Sequence, residues 1–345
     1  MKIDLTQYIT EYGIYKLKAK ATDGTTYADS YFSNEVEYNL PLATISISGD
    51  NLTITNLSSD ATGVQIYSDG VLSKTVEPSE TIDLTQLDLP DGLHQIYIAL
   101  IGGALRPNRS NEVTYRAGVV EFKDADWLTI KNVLQGRQYE KYGWAVGDTK
   151  TITLNGAEYV VRLSDIQAGR YNYSNSNKKT NGVIEMVGVL PQDAKMNSAT
   201  TNVGGFAESL MRKSVNGLEG YQYNFFGWLP TDLQGLLEDI EIPTATSGTD
   251  TTELTSACKV FIPSAPEVGL LSSYGSAVDG TIWDWYSTHT GDTNRIKQKN
   301  GSNSYWWLRS PYPNSTDYFS NVNNYGNGRN RNATNGGGVV LCFAF

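Results

Sequence analysis

Two cysteines, Cys258 and Cys342, and two histidines, His94 and His289, are the side chains of this sequence best suited to nucleophilic, acid–base or metal chemistry. Their spacing points away from all three. The histidines fall in different regions, no Cys or His cluster has metal-ligand spacing, and neither a G-x-S-x-G elbow nor a phosphate-binding loop occurs. The cysteines read as buried thiols; a disulfide between them stays open, because spacing does not settle it.

What the chain concentrates is binding chemistry. The stretch "NSTDYFSNVNNYGNGRNRNATNGGG", Asn314–Gly338, holds eight asparagines and almost no aliphatic residue. Tyrosine offers large contact area at low entropic cost, and Asn and Ser offer adaptable hydrogen bonds, as in antibody paratopes. Tyr312, Tyr318 and Tyr325 are therefore candidate anchors. Asn314, Ser315, Asp317, Asn321, Asn323, Asn324, Asn327, Asn330, Asn332 and Asn335 are candidate polar contacts, and Arg329 and Arg331 candidates for pairing with acidic groups on a target. A calcium site needs several convergent oxygen ligands, and Asp317 is the only acidic residue here, so neither metal nor cofactor is expected.

Such a stretch needs rigid ends. "SYWWLRSP" before it and "VVLCFAF" after it read as core strands, with Trp306, Trp307 and Leu308 in the core and Arg309 bonded to backbone carbonyls. Upstream, "WAVGDTKTITLNGAEYVVRLSDI" predicts a hairpin turning at Asn155-Gly156. "FKDADWLTIKNVLQG" predicts a strand or cap leading into a short helix, and "GGFAESLMRKSV" and "LPTDLQGLLEDI" predict helices, the last capped by Thr231 or Asp232. "KVFIPS" predicts a strand. "WDW" at Trp283–Trp285 reads as an exposed loop anchored by its tryptophans. Mixed helices and antiparallel strands indicate one α+β domain over residues 118–345, with the binding region at about 305–340.

The first third repeats itself. "IDLTQ" at Ile3–Gln7 recurs at Ile82–Gln86, and "SNEVEY" at Ser33–Tyr38 recurs as "SNEVTY" at Ser110–Tyr115. "GIYKLKAKA" from Gly13 aligns with "GLHQIYIAL" from Gly92. Leu17, Ala19 and Ala21 then match Ile96, Ile98 and Leu100 as an inward face, and Lys16, Lys18 and Lys20 point outward. Short alternating strands over residues 40–117 predict an all-β sandwich of about seven strands, and residues 1–39 a partial copy with the last strands alone. Met1 reads as a start inside a longer array.

The net charge of −10 argues against nucleic acid and anionic membrane as partners. No apolar run is long enough to span a bilayer, and "MKIDLTQYITEYG" lacks the apolar core of a signal peptide. A protein assembled in the cytosol, virion components included, fits these facts.

The order of "WAVGDTKTITLNGAEYVV", "LPTDLQGLLEDI", "KVFIPSAPEVG", "SYWWLRSP", the Asn-rich tail and "GVVLCFAF" resembles a family of uncharacterised domains of gut bacteria and their phages. That resemblance implies a C-type lectin fold. Members with this kind of tail are similar to the variable proteins of diversity-generating retroelements. The preceding modules resemble the immunoglobulin-like and fibronectin type III-like modules of bacterial and phage surface proteins.

What the resemblance implies is a reverse transcriptase that randomises adenines. Asparagine codons, with two adenines and a pyrimidine, then diversify without giving a stop, Lys, Glu, Gln, Met or Trp. Those five types make up 54 of 345 residues, which predicts about four in a 24-residue window; Tyr312–Asn335 contains none. The implied function is non-enzymatic recognition of a bacterial surface protein or glycan from a phage tail or fibre, as a homotrimer or beside other virion proteins. A bacterial cell-surface adhesin would use the same site. An enzyme of the formylglycine-generating type, which shares the fold, would depend on Cys342.

Overall fold

The computed structural model describes residues 13–17, 36–40, 43–57, 59, 61–101, 109–218, 223–270 and 273–345. They belong to two compact units, Met1–Val119 and Val120–Phe345. Among them no helix is long and apolar enough to cross a membrane.

In the first unit, β1 (Gly13–Leu17) pairs antiparallel with β2 (Val36–Leu40). Seven further strands follow: β3 (Thr44–Ser48), β4 (Asn51–Thr55), β5 (Gly63–Ser68), β6 (Val71–Val76), β7 (Thr81–Asp83), β8 (Gly92–Ile101) and β9 (Val113–Ala117). They form a three-stranded sheet, β3-β4-β7, and a four-stranded sheet, β6-β5-β8-β9. Alternate residues of both sheets, among them Ile45, Leu52, Ile66, Ile96 and Ile98, close one core.

The repeat has a structural counterpart. Gly13 faces Leu40 and Leu17 faces Val36 in the first copy; Gly92 faces Ala117 and Ile96 faces Val113 in the second. The aligned residues thus pair in one register. In the second copy, Ile96, Ile98 and Leu100 are buried as expected. "SNEV" has a mechanical role there, because Asn111 bonds both the N–H and the carbonyl of Ile45, at 2.7 and 2.9 Å. "IDLTQ" at Ile82 is a strand end running into a 3₁₀ turn capped by Asp83. The first-copy counterparts Ile3–Gln7 and Ser33–Glu35, and Lys18–Ala21, lie outside the described residues.

The second unit begins with α1 (Trp127–Gln135), whose first turn Asp126 caps through the Thr129 N–H at 2.7 Å. Then follow α2 (Tyr139–Tyr142), β10 (Thr149–Leu154), β11 (Ala157–Asp165), β12 (Val183–Met186), α3 (Leu210–Val215), α4 (Thr231–Leu236), β13 (Ile240–Ala245) and β14 (Glu253–Cys258). The last part holds α5 (Asp284–Thr288), β15 (Lys297–Lys299), β16 (Ser302–Ser304), β17 (Trp306–Pro311), β18 (Tyr318–Val322), β19 (Gly328–Asn332) and β20 (Cys342–Ala344). β10-β11-β12-β20 make an antiparallel sheet, so the chain end closes the sheet that the unit begins. β17-β18-β19 make a second. The hairpin β10–β11 turns at Asn155-Gly156 with φ of 48° and 82°, the left-handed pair that a two-residue turn requires.

Four local expectations are corrected. Gly204 and Gly205 have φ of 86° and 56°, so α3 starts only at Leu210, where Ser209 caps it. Pro230 occupies the N-cap of α4, which moves Thr231 into the helix; α4 then stops at Leu236, and Ile240 already belongs to β13. "KVFIPS" is no strand but a single bridge, Phe261 to Cys342. "WDW" is no exposed loop: Trp283 is fully buried, and Asp284 opens α5 while accepting from the Ile166 N–H at 3.0 Å.

Candidate functional site

The tail region is built on β17, whose residues Trp306–Pro311 are all buried. Trp306 Nε1 donates to the Arg295 carbonyl at 3.0 Å, and Trp307 Nε1 to the Ala194 carbonyl at 2.8 Å. Each indole thus buries its rings and still satisfies its one donor. Arg309, fully buried, donates to the carbonyls of Pro243, Ile262 and Asp279 at 3.1, 3.1 and 2.6 Å, as expected, and also grips both oxygens of Glu267. Burial works against its charge, yet the Glu267 carboxylate holds the guanidinium protonated above its ordinary range. Glu267 accepts in addition from the Ser264 N–H at 2.8 Å and the Tyr171 hydroxyl at 2.5 Å. No lone pair of this centre faces empty apolar space.

Between β17 and β18 the loop of residues 312–317 is held by its main chain. Asn202, fully buried, donates from Nδ2 to the carbonyls of Ser315 and Tyr318 at 2.9 and 2.7 Å. The N–H of Asn202 meets the Thr316 carbonyl at 2.6 Å, that of Asn314 the Gly248 carbonyl at 2.7 Å, and that of Ala333 the Asp317 carbonyl at 3.0 Å. Gly248 leaves room for this approach; a Cβ there would lie 1.9 Å from the Tyr312 oxygen. No side chain of the loop takes part in these anchors.

The candidate residues sort accordingly. Asn314, Asp317, Tyr318, Tyr325, Arg329, Asn330 and Asn335 are exposed, and Tyr312, Ser315, Asn324, Asn327, Arg331 and Asn332 are half-buried. Among the described residues, the side chains of Asn314, Tyr318, Tyr325, Asn330 and Asn335 accept or donate no hydrogen bond to the rest of the fold. Tyr325, 69 % exposed, stands at the tip between β18 and β19.

Four asparagines differ from the expected role of free polar contacts. Asn323 is 4 % exposed and accepts from the N–H groups of Tyr325 and Asn327 at 2.9 and 3.0 Å, so it shapes the hairpin turn. Asn321 is 2 % exposed in the middle of β18. Asn327 reaches back to the Asp292 carboxylate. Asn332 binds the N–H and hydroxyl of Thr334 at 3.0 and 2.7 Å. Asparagine competes well for nearby backbone, which is why tail composition alone does not separate turn builders from contacts.

A family model described as "Domain of unknown function (DUF6273)" matches residues 170–343, which is 174 residues (343 − 170 + 1) and just over half of the 345. The chain belongs to the DUF6273 family. The DUF6273 match takes in the anchors Asn202, Gly248, Glu267 and Arg309 as well as β17, β18 and β19. No curated protein and no solved structure matches the chain.

Asn202 and Gly248 are the DUF6273 residues that sequence reasoning missed. Both sit in polar stretches, "ATTNVGG" and "TSGTD", with no periodicity to mark them. Asn202→Ala takes the side-chain donor from the Ser315 carbonyl and one of two donors from the Tyr318 carbonyl, which keeps the Tyr312 N–H at 2.9 Å; the expected cost is about 2 kcal/mol. The measurement is urea denaturation; an unchanged midpoint would show that the loop does not depend on this clamp.

The residues suited to covalent chemistry are differently placed. Cys258 and Cys342 are free, buried thiols, and burial pushes the Cys342 thiol well above its ordinary range. His94 is buried against Asp69 at 2.7 Å in the first unit, and His289 stacks on Trp285 in the second. Glu185, fully buried, binds Lys297, Tyr286 and Arg162 at 2.8 Å each and Ser164 at 2.9 Å, a second satisfied polar centre. Among the described residues no group of three or more His, Cys, Asp or Glu side chains is placed to hold a metal ion. Three open clefts of about 310, 570 and 660 Å³ gather residues of 168–181 with, in two of them, Glu241; none is lined by the tail.

Proposed function

We propose that the unit Val120–Phe345 is a non-enzymatic display domain, which binds its target through the exposed side chains of Tyr312–Asn335. One observation carries this reading: the fold holds the loop before β18 by main-chain atoms, through Asn202, Gly248 and Ala333. Side chains there change without loss of any anchoring bond. That is the physical condition for a surface whose sequence varies while its scaffold does not.

Other features support the resemblance behind it. The final strand β20 returns to the first sheet while a separate small sheet carries the tail, as a C-type lectin fold would have it. The three-and-four division β3-β4-β7 and β6-β5-β8-β9 suits an immunoglobulin-like or fibronectin type III-like spacer. On this reading the domain is a variable protein of a diversity-generating retroelement, mounted on a phage tail or fibre and directed at a bacterial surface. Repeated copies in a trimeric fibre would raise a weak single-site affinity.

The test replaces Asn314, Asp317, Tyr318, Tyr325, Asn330 and Asn335 together by serine. Each surface change is expected to alter stability by no more than about 0.5 kcal/mol. Binding of the full chain to bacterial cells of the source community should disappear. Unfolding of the substituted chain would make the loop structural and sink the reading. Sequencing beside the gene supplies the independent check, a reverse-transcriptase gene with a near-copy of the segment differing only at template adenines.

A further inference from the structure

We propose that the tail sheet contains a subsite for an acidic saccharide, formed by Asn321, Arg331 and Tyr305; it rests on the display reading and names the ligand class of that surface. The register places the groups. Asn321 on β18 stands opposite Trp307 of β17 and opposite Arg329 of β19, and Arg331 faces Phe319 one rung further along the same face. Arg331 is therefore the diagonal neighbour of Asn321, within reach of a long side chain. Its guanidinium lies 5.7 Å from the centre of the Tyr305 ring, which is 42 % exposed.

Two polar atoms on this face have no hydrogen-bond partner. They are Oδ1 of Asn321, in a side chain only 2 % exposed, and Nε of Arg331. Buried polar groups are almost always paired, so two orphans on one sheet face mark a place that something else completes. In the asparagines that build turns nearby, Asn323 and Asn332, Oδ1 accepts two hydrogen bonds each, whereas Oδ1 of Asn321, like that of Asn324 at the hairpin tip, accepts none. The surroundings also differ in charge from the rest of the protein. Residues 312–335 contain Asp317, Arg329 and Arg331, a balance of +1 (2 − 1) in a chain of −10.

The ligand follows from what these groups lack. A guanidinium wants a carboxylate or phosphate oxygen. An amide, with an oxygen that accepts and a nitrogen that donates, is matched by a hydroxyl, which does both. An aromatic face beside them suits the apolar side of a sugar ring. The acidic side chains of a protein target offer acceptors alone and would leave the Asn321 oxygen unpaired. A ring that presents a hydroxyl next to a carboxylate, as uronic and nonulosonic acids do, satisfies both orphans at once. No covalent step is involved. Arg331 swings away from Tyr305, the carboxylate takes its place against the guanidinium, and a ring hydroxyl donates to Asn321.

The experiment titrates the full chain with oligogalacturonate, oligoglucuronate and a sialylated oligosaccharide, each against its carboxyl-reduced form, with oligoglutamate as the protein-like control. At least one acidic saccharide should bind roughly ten-fold or more tightly than its reduced form. Arg331→Gln should abolish that preference at an unchanged melting temperature; Arg329→Gln, on an exposed side chain, is the second variant and should weaken it. Equal binding of acidic and reduced forms, binding of none of them, or equal binding of oligoglutamate overturns the assignment. These results leave the display reading to its own test on cells with the serine-substituted tail.

Discussion

Glu267→Gln is expected to lower the melting temperature of the Val120–Phe345 unit by roughly 10 °C, although the change is near-isosteric. Arg309 and Glu267 are both fully buried, and their forked contact lies among Pro243, Ile262 and Asp279 carbonyls and the Tyr171 hydroxyl. Neutralising the carboxylate removes the paired counter-charge of the guanidinium and leaves it in a fully buried site. Removing one partner of such a pair costs about 3–5 kcal/mol, a large share of the roughly 5–15 kcal/mol that stabilises a domain. The effect reaches the tail, because Arg309 lies in β17, on which β18 and β19 are built. Replacing both, Arg309→Met with Glu267→Leu, should recover only part of the loss: both charges of the pair are gone, but the Pro243, Ile262 and Asp279 carbonyls lose their Arg309 donor. Near-ultraviolet circular dichroism during heating follows this through the buried tryptophans. An unchanged transition in Glu267→Gln would mean that the three carbonyls suffice for Arg309.

Acid stability is expected to turn on Glu185. Burial alone would raise its pKa, but Lys297 and Arg162, with the hydroxyl of Tyr286, hold it at about 2 against an ordinary value of 4.5. The folded state therefore keeps the carboxylate ionised where the unfolded chain has already bound a proton. The stabilisation is fully present above pH 4.5 and is lost as pH falls from there through about 2. Its size is about 3 kcal/mol. Glu185→Gln should remove this limb of the pH profile and also destabilise the unit at pH 7 by about 3–5 kcal/mol, since Lys297 and Arg162 then lie buried without their counter-charge. Urea denaturation of both proteins at pH 7, 4.5, 3 and 2 isolates the Glu185 contribution from that of other carboxylates. Parallel curves for the two proteins would assign the acid limb elsewhere.

Legibility varied with the range of the interaction. The Asn155-Gly156 turn was readable because a two-residue hairpin is decided by its own φ angles. Asn300-Gly301, with φ of 51° and 79° in the β15–β16 hairpin, carries the same signal between strands too short and polar to draw notice. The burial of Trp306, Trp307 and Leu308 followed from composition, and the carbonyl bonds of Arg309 from the need to satisfy a buried guanidinium. Glu267 stayed hidden, as it is 42 residues from Arg309 in the chain. "WDW" misled because tryptophan marks both exposed anchors and core, and only the contacts with Tyr171 and Ile166 decide.

The sequence by itself determined that the first unit is built of a repeated strand pair, that the second ends in a core strand, and that an Asn- and Tyr-rich segment lies between two apolar ones. These follow from local period, turn chemistry and hydrophobicity, which act over a few residues. Only the tertiary structure decided which asparagines of that segment face solvent and which, like Asn321 and Asn323, are buried. Exposure in a β-sheet depends on which strands cover each face, and those strands come from parts of the chain far apart. It also decided that the loop is held through Asn202, whose two bonds reach 113 and 116 residues along the chain. No local pattern encodes a partner at that distance, because a hydrogen bond depends on position in space and not on separation in sequence.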